Sequence, residues 1–303
     1  MNKKCLTILL IALLLLPNAL FSKDVLVREE GKLCIYFLDL DVDATAEDKS
    51  GDSTIIISPE GKVMLIDCGH PQSGHQVIDA LKALAVDHID IFVASHPHID
   101  HIGSFAQIAA AFPIGQVYRS ALEYPTSQYA SFVSAIVDRQ LPVTILSEGD
   151  RFSFGDKVSV RVFNPGDPIT YPANYPANST QFVNNQSVAL KLTYGSSSAW
   201  FGGDLYMVQE RALVTKYGPE LQSDVAKANH HGGDTSNTLT WIKAIKAKIV
   251  VAMNDGLDSM TVCNNYKKYG AEYHLTQLDG TVRVVMDDKQ NYTVTDTKDS
   301  WMN

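Results

Sequence analysis

The sequence predicts an α/β fold in which two mixed β-sheets pack face to face and are flanked by helices. Three observations predict it. Both halves of the chain alternate short apolar runs with helical periodicities, and no Gly/Ser-rich or Pro-rich linker separates them. The composition, 45% apolar and 19% charged, is that of a globular chain and excludes a disordered or repetitive one. The 303 residues are therefore read as a processed N-terminus, residues 1–22, followed by one domain over residues 23–303.

In the first half, residues 32–40, 54–58 and 63–67 are strand-like runs of Ile, Val, Leu and aromatics. Pro59-Glu60-Gly61 joins the last two as a hairpin. Residues 75–85 carry Val77, Ile78, Leu81 and Leu84 at helical spacing, and 89–94 is a strand apolar at every position but Asp90. A helix over 102–111, a strand over 116–119 and a helix over 128–139 follow. In the second half, 150–164 alternates around Gly155-Asp156, and strands at 187–194 and 199–202 lead to a helix at 205–217. Next come a strand at 225–228, a helix at 239–246, a strand at 248–253, a helix near 262–269, and strands at 282–286 and 292–295. The Pro/Asn/Tyr-rich stretch 165–185 lacks periodicity. It reads as a surface excursion or as a functional loop whose Tyr171 and Tyr175 cover the site.

Residues 1–22 have the pattern of a secretory signal: Lys3 and Lys4, an apolar core from Leu6 to Leu16, then Pro17 and a cleavage site before Lys23. The core is short for a membrane span, so the mature protein is expected to be secreted or periplasmic without a stable span; an uncleaved anchor is the alternative. Cys5 precedes the apolar core, unlike a lipoprotein cysteine. The mature chain keeps Cys34, Cys68 and Cys263, an odd number that leaves at least one thiol free, and Cys34 and Cys68 sit in apolar runs. The net charge of −9 means that a polyanionic partner must be held by local patches and metal, so long nucleic acid is not the favoured substrate.

The chemistry is concentrated in Ser95-His96-Pro97-His98-Ile99-Asp100-His101, directly after the apolar strand. Such an H-x-H-x-D-H string arises by chance on the order of once in 10⁴ chains of this size. Imidazole and carboxylate are ligands for zinc, manganese or iron. The i, i+2 spacing aims His96 and His98 at one ion, and Asp100 and His101 can turn to a second. Asp204 follows an apolar strand and a Gly pair, and His230-His231 follows another strand and precedes Gly232-Gly233. Adjacent histidines at a strand end beside a metal string point to ligation, and His230 is the favoured ligand. His231 is then a substrate-facing hydrogen-bond donor, or itself the ligand. Asp67 is either an orienting group for the site or a strand-end turn. His70, His75, His88 and His274 lack such context and are read as structural or surface residues.

Here the chain resembles the metallo-β-lactamase superfamily, and more narrowly the hydrolase domain of ComEC-type competence proteins and their secreted relatives. The resemblance is carried by Phe37-Leu38-Asp39, Leu65-Ile66-Asp67-Cys68-Gly69, residues 95–103, Asn184-Asn185-Gln186-Ser187, Phe201-Gly202-Gly203-Asp204-Leu205 and Asn229-His230-His231-Gly232. It covers residues 32–286 and implies an αββα sandwich. It also implies one or two Zn²⁺ ions, with Mn²⁺ as the alternative, and Asp204 as the carboxylate bridging them. The chain departs from the superfamily twice. No histidine lies between His101 and Asp204, where the ComEC-like branch has its Asn-rich segment. None follows in 250–261, where Asn254, Asp255, Asp258 or water would have to substitute.

The function so implied is a phosphodiesterase, nuclease-like or phosphorylcholine-esterase-like, using metal-activated hydroxide. Asp100 would steer the nucleophile and His231 would donate to a phosphate oxygen. Two other readings stand beside it: hydrolysis of a small ester, lactone or β-lactam, and a non-catalytic binding protein with a degenerate metal site.

Overall fold

The structure, a computed structural model, describes residues 25–169, 176 and 178–298. The signal reading for residues 1–22 and the covering role of Tyr171 and Tyr175 lie outside the described residues. The first half supplies strands β1 (Leu33–Phe37), β2 (Thr54–Ile57), β3 (Val63–Ile66), β4 (Ile89–Val93), β5 (Ile114–Arg119) and β6 (Val143–Ile145). Its helices are α1 (Gly74–Ala83), α2 (Ile99–Ile102), α3 (Phe105–Ala111) and α4 (Ser127–Asp138). The second half adds β7 (Arg151–Phe154), β8 (Val158–Asn164), α5 (Thr180–Asn185), β9 (Ala189–Tyr194), β10 (Ser197–Phe201) and α6 (Met207–Tyr217). It continues with β11 (Val225–Lys227), α7 (Leu239–Ile245), β12 (Ile249–Ala252), α8 (Met260–Lys268), β13 (Glu272–Leu275), α9 (Thr276–Asp279), β14 (Val282–Met286) and β15 (Tyr292–Asp296).

Among the described residues these strands form an eight-stranded sheet, β15-β14-β1-β2-β3-β4-β5-β6, and a seven-stranded one, β13-β12-β11-β10-β9-β8-β7. Both are mixed: β3 to β6 and β10 to β13 run parallel, and the rest pair antiparallel. The two-residue period of each strand decides the layering. In β1, Leu33, Ile35 and Phe37 face the layer between the sheets, while Cys34 and Tyr36 face the helices outside. In β12, Ile249 and Val251 face inward, and Val250 and Ala252 pack on the outer layer with Trp200, Trp241 and Tyr266. Buried apolar layers on both faces of both sheets make the αββα sandwich.

Four local features differ from the sequence reading. The helix expected over 102–111 is broken at Gly103-Ser104, where the Ser104 hydroxyl donates to the His70 carbonyl at 2.6 Å. That break lets α2 carry Asp100 and His101 on its own short axis. β6, Val-Thr-Ile, is only three residues long, too few for a strand pattern to register, and all three are exposed at a sheet edge. β13 and α9 are four residues each, too short for periodicity to register. Within the aperiodic stretch, α5 is capped by the Ser179 hydroxyl, which accepts from the Phe182 amide at 3.3 Å.

Candidate metal centre

The centre lies where the parallel strands end, the usual place for a site in a sheet with helical crossovers. Asp67 follows β3, Ser95 to His101 follow β4, Asp204 follows β10, and His230-His231 follow β11. Each side chain is thus held on a loop anchored by a buried strand, and the two sheets converge their loops on one point.

That point is Oδ2 of Asp204. It lies 3.0 Å from His231 Nε2, 3.3 Å from His101 Nε2, 3.8 Å from His96 Nε2 and 4.0 Å from His230 Nε2. Oδ2 of Asp100 faces the same two nearest nitrogens, 3.4 Å from His231 Nε2 and 3.5 Å from His101 Nε2. On the other side, His96 Nε2 sits 2.9 Å from His98 Nδ1. The string and the distant Asp204 and His pair are therefore brought together.

The partners of the opposite ring nitrogens fix the tautomers. His101 Nδ1 is 2.8 Å from Asp67 Oδ2, which as a carboxylate can only accept, so Nδ1 carries the proton. His231 Nδ1 lies 3.0 Å from both Asp52 Oδ1 and the Met253 carbonyl, again acceptors. Ser95 Oγ donates to Asp67 Oδ2 at 2.6 Å and is left to accept from His96 Nδ1 at 3.0 Å. In the neutral rings three Nε2 lone pairs therefore point inward, and those of His101 and His231 are buried without a hydrogen-bond partner. Lone pairs facing carboxylate oxygens at 3.0–3.5 Å repel unless a cation lies between them, either a proton or a metal ion. The donor set fits a divalent cation: imidazole nitrogens and carboxylate oxygens, oriented by outer carboxylates. Burial works against the charge of Asp100 and Asp204, but His101 and His231 hold both carboxyls well below the usual range. Burial also opposes protonation of His231, yet Asp204 and Asp52 raise it to about 10.

Both members of the His pair reach Asp204: His231 is fully buried in the Asp100/His101/Asp204 cluster, and His230, the favoured ligand, is partly exposed, its Nδ1 beside the Thr235 hydroxyl and its Nε2 4.0 Å from Asp204 Oδ2. Of the substitutes expected within 250–261, Asp255 binds the Ser50 amide at 3.0 Å and the Ser50 hydroxyl, and Asn254 Oδ1 accepts from the Asp255 amide at 3.0 Å. Both histidines adopt positive φ, 47° and 54°, a conformation non-glycine residues reach at a cost. Two successive left-handed residues turn the chain so that both adjacent rings bring Nε2 within 4.0 Å of Asp204 Oδ2. The Asn-rich segment packs behind Asp204: the Ser187 hydroxyl accepts from the Asp204 amide at 3.1 Å, and Asn185 Oδ1 accepts from the Tyr206 amide at 3.2 Å.

Sequence reasoning missed Asp52, Lys227 and Lys49. Lys227 is buried, its ammonium donating to the Gly203 carbonyl at 2.9 Å and to Asp204 Oδ1 at 3.2 Å and forming an ion pair with Asp52 Oδ2. Asp52 shares the 4.8 Å cluster with His101, Asp204 and His231, but both its oxygens are engaged, one by His231 Nδ1 and one by Lys227. It orients His231 and does not itself face the centre. A signal existed for two of them: Gly51-Asp52 before an apolar strand mirrors Gly203-Asp204, and a lysine inside a buried strand requires anionic partners. Asp67, left open between orienting group and turn, is the partner of His101 and Ser95, with Ser95 N donating at 2.7 Å. His75 and His88 lie on the surface, His70 is buried near α1, and His274 contacts Glu272 and Asp279 on β13 and α9, all away from the cluster. Cys34, Cys68 and Cys263 are buried free thiols.

Comparison with known proteins agrees with this geometry. Residues 47–168, which hold the histidine string, match the family model of the metallo-beta-lactamase superfamily. A competence protein, ComA of Neisseria gonorrhoeae, is 23% identical over 246 residues, covering 79% of this chain and 31% of ComA. The uncharacterised protein YcaI of Escherichia coli K12 is 23% identical over 231 residues, covering 75% of this chain and 26% of YcaI. The chain thus spans a third or less of these curated relatives. Among solved structures, Igni18, a metallo hydrolase of the archaeon Ignicoccus hospitalis, superposes with a TM-score of 0.53 at 16% identity, over 82% of this chain and 98% of Igni18.

Proposed function

We propose that this chain, which belongs to the metallo-β-lactamase superfamily and has ComEC-like relatives, is an exported metal-dependent phosphodiesterase acting through two divalent ions, zinc or manganese. The observation that carries the reading is the charge balance around Asp204. With neutral histidines, four carboxylates (Asp52, Asp67, Asp100 and Asp204) are opposed by two ammonium groups, Lys227 and Lys49. Two divalent ions would turn that surplus of two negative charges into two positive ones. A hydroxide and a phosphate diester monoanion would then bring the centre to neutrality. A neutral ester, lactone or β-lactam would leave it one charge in excess.

In this reading His96, His98 and His230 would hold one ion and Asp100, His101 and His231 the other, with Asp204 available to both. When bound, the ions supply an activated water and neutralise charge on the attacked phosphoryl group. The chain's own groups set the geometry. Asp67 and Asp52 orient His101 and His231, and Lys227 occupies Asp204 Oδ1, so that only Oδ2 is presented to the centre. His231 is thereby a ligand and not the substrate-facing donor. Beside His98 opens a cavity of about 420 Å³ lined by Glu47, Asp48, Tyr124, Thr126 and Gln128. Two carboxylates at its wall disfavour a long polyanion and suit a diester of a polar, non-anionic alcohol. No helix among the described residues is long and apolar enough to cross a membrane, and export rests on the N-terminal pattern alone.

The test is hydrolysis of bis(p-nitrophenyl) phosphate with added Zn²⁺ or Mn²⁺, with Asp100→Ala and His96→Ala as controls. Metal-dependent nitrophenol release lost in both variants is expected. Metal bound without release above the variants would favour ester or lactam hydrolysis. Neither metal nor release would leave a binding protein.

A further inference from the structure

The two lysines near the centre differ in a way that separates their roles. Lys227 is 4% exposed and committed to Gly203, Asp204 and Asp52. Lys49 is 28% exposed, and its Nζ lies 4.0 Å from Asp100 Oδ2, within Coulombic reach but outside hydrogen-bond distance. Among the described residues no hydrogen bond from its ammonium is recorded, and it stands partly exposed beside Asp100. Burial works against its charge, but Asp100, Asp204 and Asp52 keep it protonated.

Its placement is built. Residues 50–52, next in the chain, are pinned at several points. Ser50 N donates to Asp255 Oδ2 at 3.0 Å, the Ser50 carbonyl accepts from His70 N at 2.9 Å, and Asp52 N donates to the Asp100 carbonyl at 3.0 Å. Gly51, at φ +78°, lies so close to Asp100 that a Cβ there would overlap its carbonyl. The loop is thus docked onto the backbone of the residue whose carboxylate faces the ions, and Lys49 emerges at the rim of that dock. Glu47 and Asp48, just before it, turn to the cavity beside His98.

We infer that Lys49 grips a non-bridging phosphoryl oxygen of the substrate and so sets the preference of this centre for anionic diesters over neutral esters. The inference rests on the two-metal reading above and names the residue that would select its substrate class. Arginine at this position would keep the charge and the donors; methionine keeps the aliphatic stem and removes both.

The experiment uses metal-loaded wild-type, Lys49→Met and Lys49→Arg proteins, with inorganic phosphate as the probe in isothermal titration calorimetry. The kcat/KM ratio of bis(p-nitrophenyl) phosphate to p-nitrophenyl acetate is read in parallel. Loss of a charge-assisted hydrogen bond is expected to weaken phosphate binding of Lys49→Met by roughly 10–100-fold and to lower the substrate ratio similarly. Lys49→Arg is expected to keep most of both. Phosphate affinity and substrate ratio unchanged in Lys49→Met, at wild-type metal content, would overturn the role of Lys49 while leaving the two-metal reading intact. A metal-loaded wild type that neither binds phosphate nor cleaves the diester would overturn both.

Discussion

Replacing Lys227 by methionine removes one charge from the middle of the carboxylate cluster and leaves the volume nearly unchanged. Two acceptors then lose their donor, the Gly203 carbonyl and Asp204 Oδ1, and Asp52 Oδ2 loses its ion pair. Burial opposes the lysine's charge, yet Asp52 and Asp204 raise its pKa above the ordinary value, so the ammonium is bound more tightly than it is desolvated. Breaking a buried pair from one side costs about 3–5 kcal/mol, because the opposite charge stays buried. For a domain of this size that lowers Tm by roughly 6–12 °C in metal-free protein. Loading with Zn²⁺ should recover much of the loss, since the ions supply the missing positive charge. Adding Asp52→Asn should recover part of it without metal, because one stranded carboxylate is gone. Thermal denaturation followed by circular dichroism, with EDTA and with Zn²⁺, measures all four combinations. An unchanged Tm for Lys227→Met, or a loss equal in both conditions and additive with Asp52→Asn, would refute the account of this lysine.

Other outcomes follow from the same contacts. In metal-free protein His101 and His231 hold protons, their pKa values raised, that of His231 to about 10. Their stabilisation is complete below the unfolded value near 6.5 and fades as pH rises through the folded one. Metal must displace those protons, so calorimetry in two buffers of different ionisation enthalpy should show proton release, and affinity should climb with pH; buffer-independent heats would contradict this. Gly51→Ala should cost about 3 kcal/mol or more, and lower metal content through displaced Asp100, because the new methyl overlaps the Asp100 carbonyl at positive φ. For His274, burial lowers the pKa but Asp279 and Glu272 raise it further, so its contribution is present below about 6.5 and lost at higher pH. His274→Gln should flatten that part of the stability profile and leave metal content alone, as chemical denaturation at a series of pH values would read.

The parts legible in the sequence are those written locally. The wholly apolar runs of β1 and β12 mark strands buried on both faces, and the string from His96 to His101 is contiguous because a single strand-end loop carries it. What the sequence conceals is pairing across long separations. Lys227 meets Asp52 from the other half of the chain, and nothing near either residue specifies the partner. The reach of both His230 and His231 to Asp204 depends on two left-handed backbone angles, which neighbouring residue types do not dictate. The edge strand β6 was missed because its three residues are too few for a strand pattern to register.

The most direct test is the metal content of Asp204→Asn beside wild type, by plasma mass spectrometry after dialysis. With one carboxylate available to both positions, the account predicts about two ions per wild-type chain and near-complete loss of both from the variant. A variant that keeps a full ion, or a wild type that binds none, would contradict a centre built on Asp204.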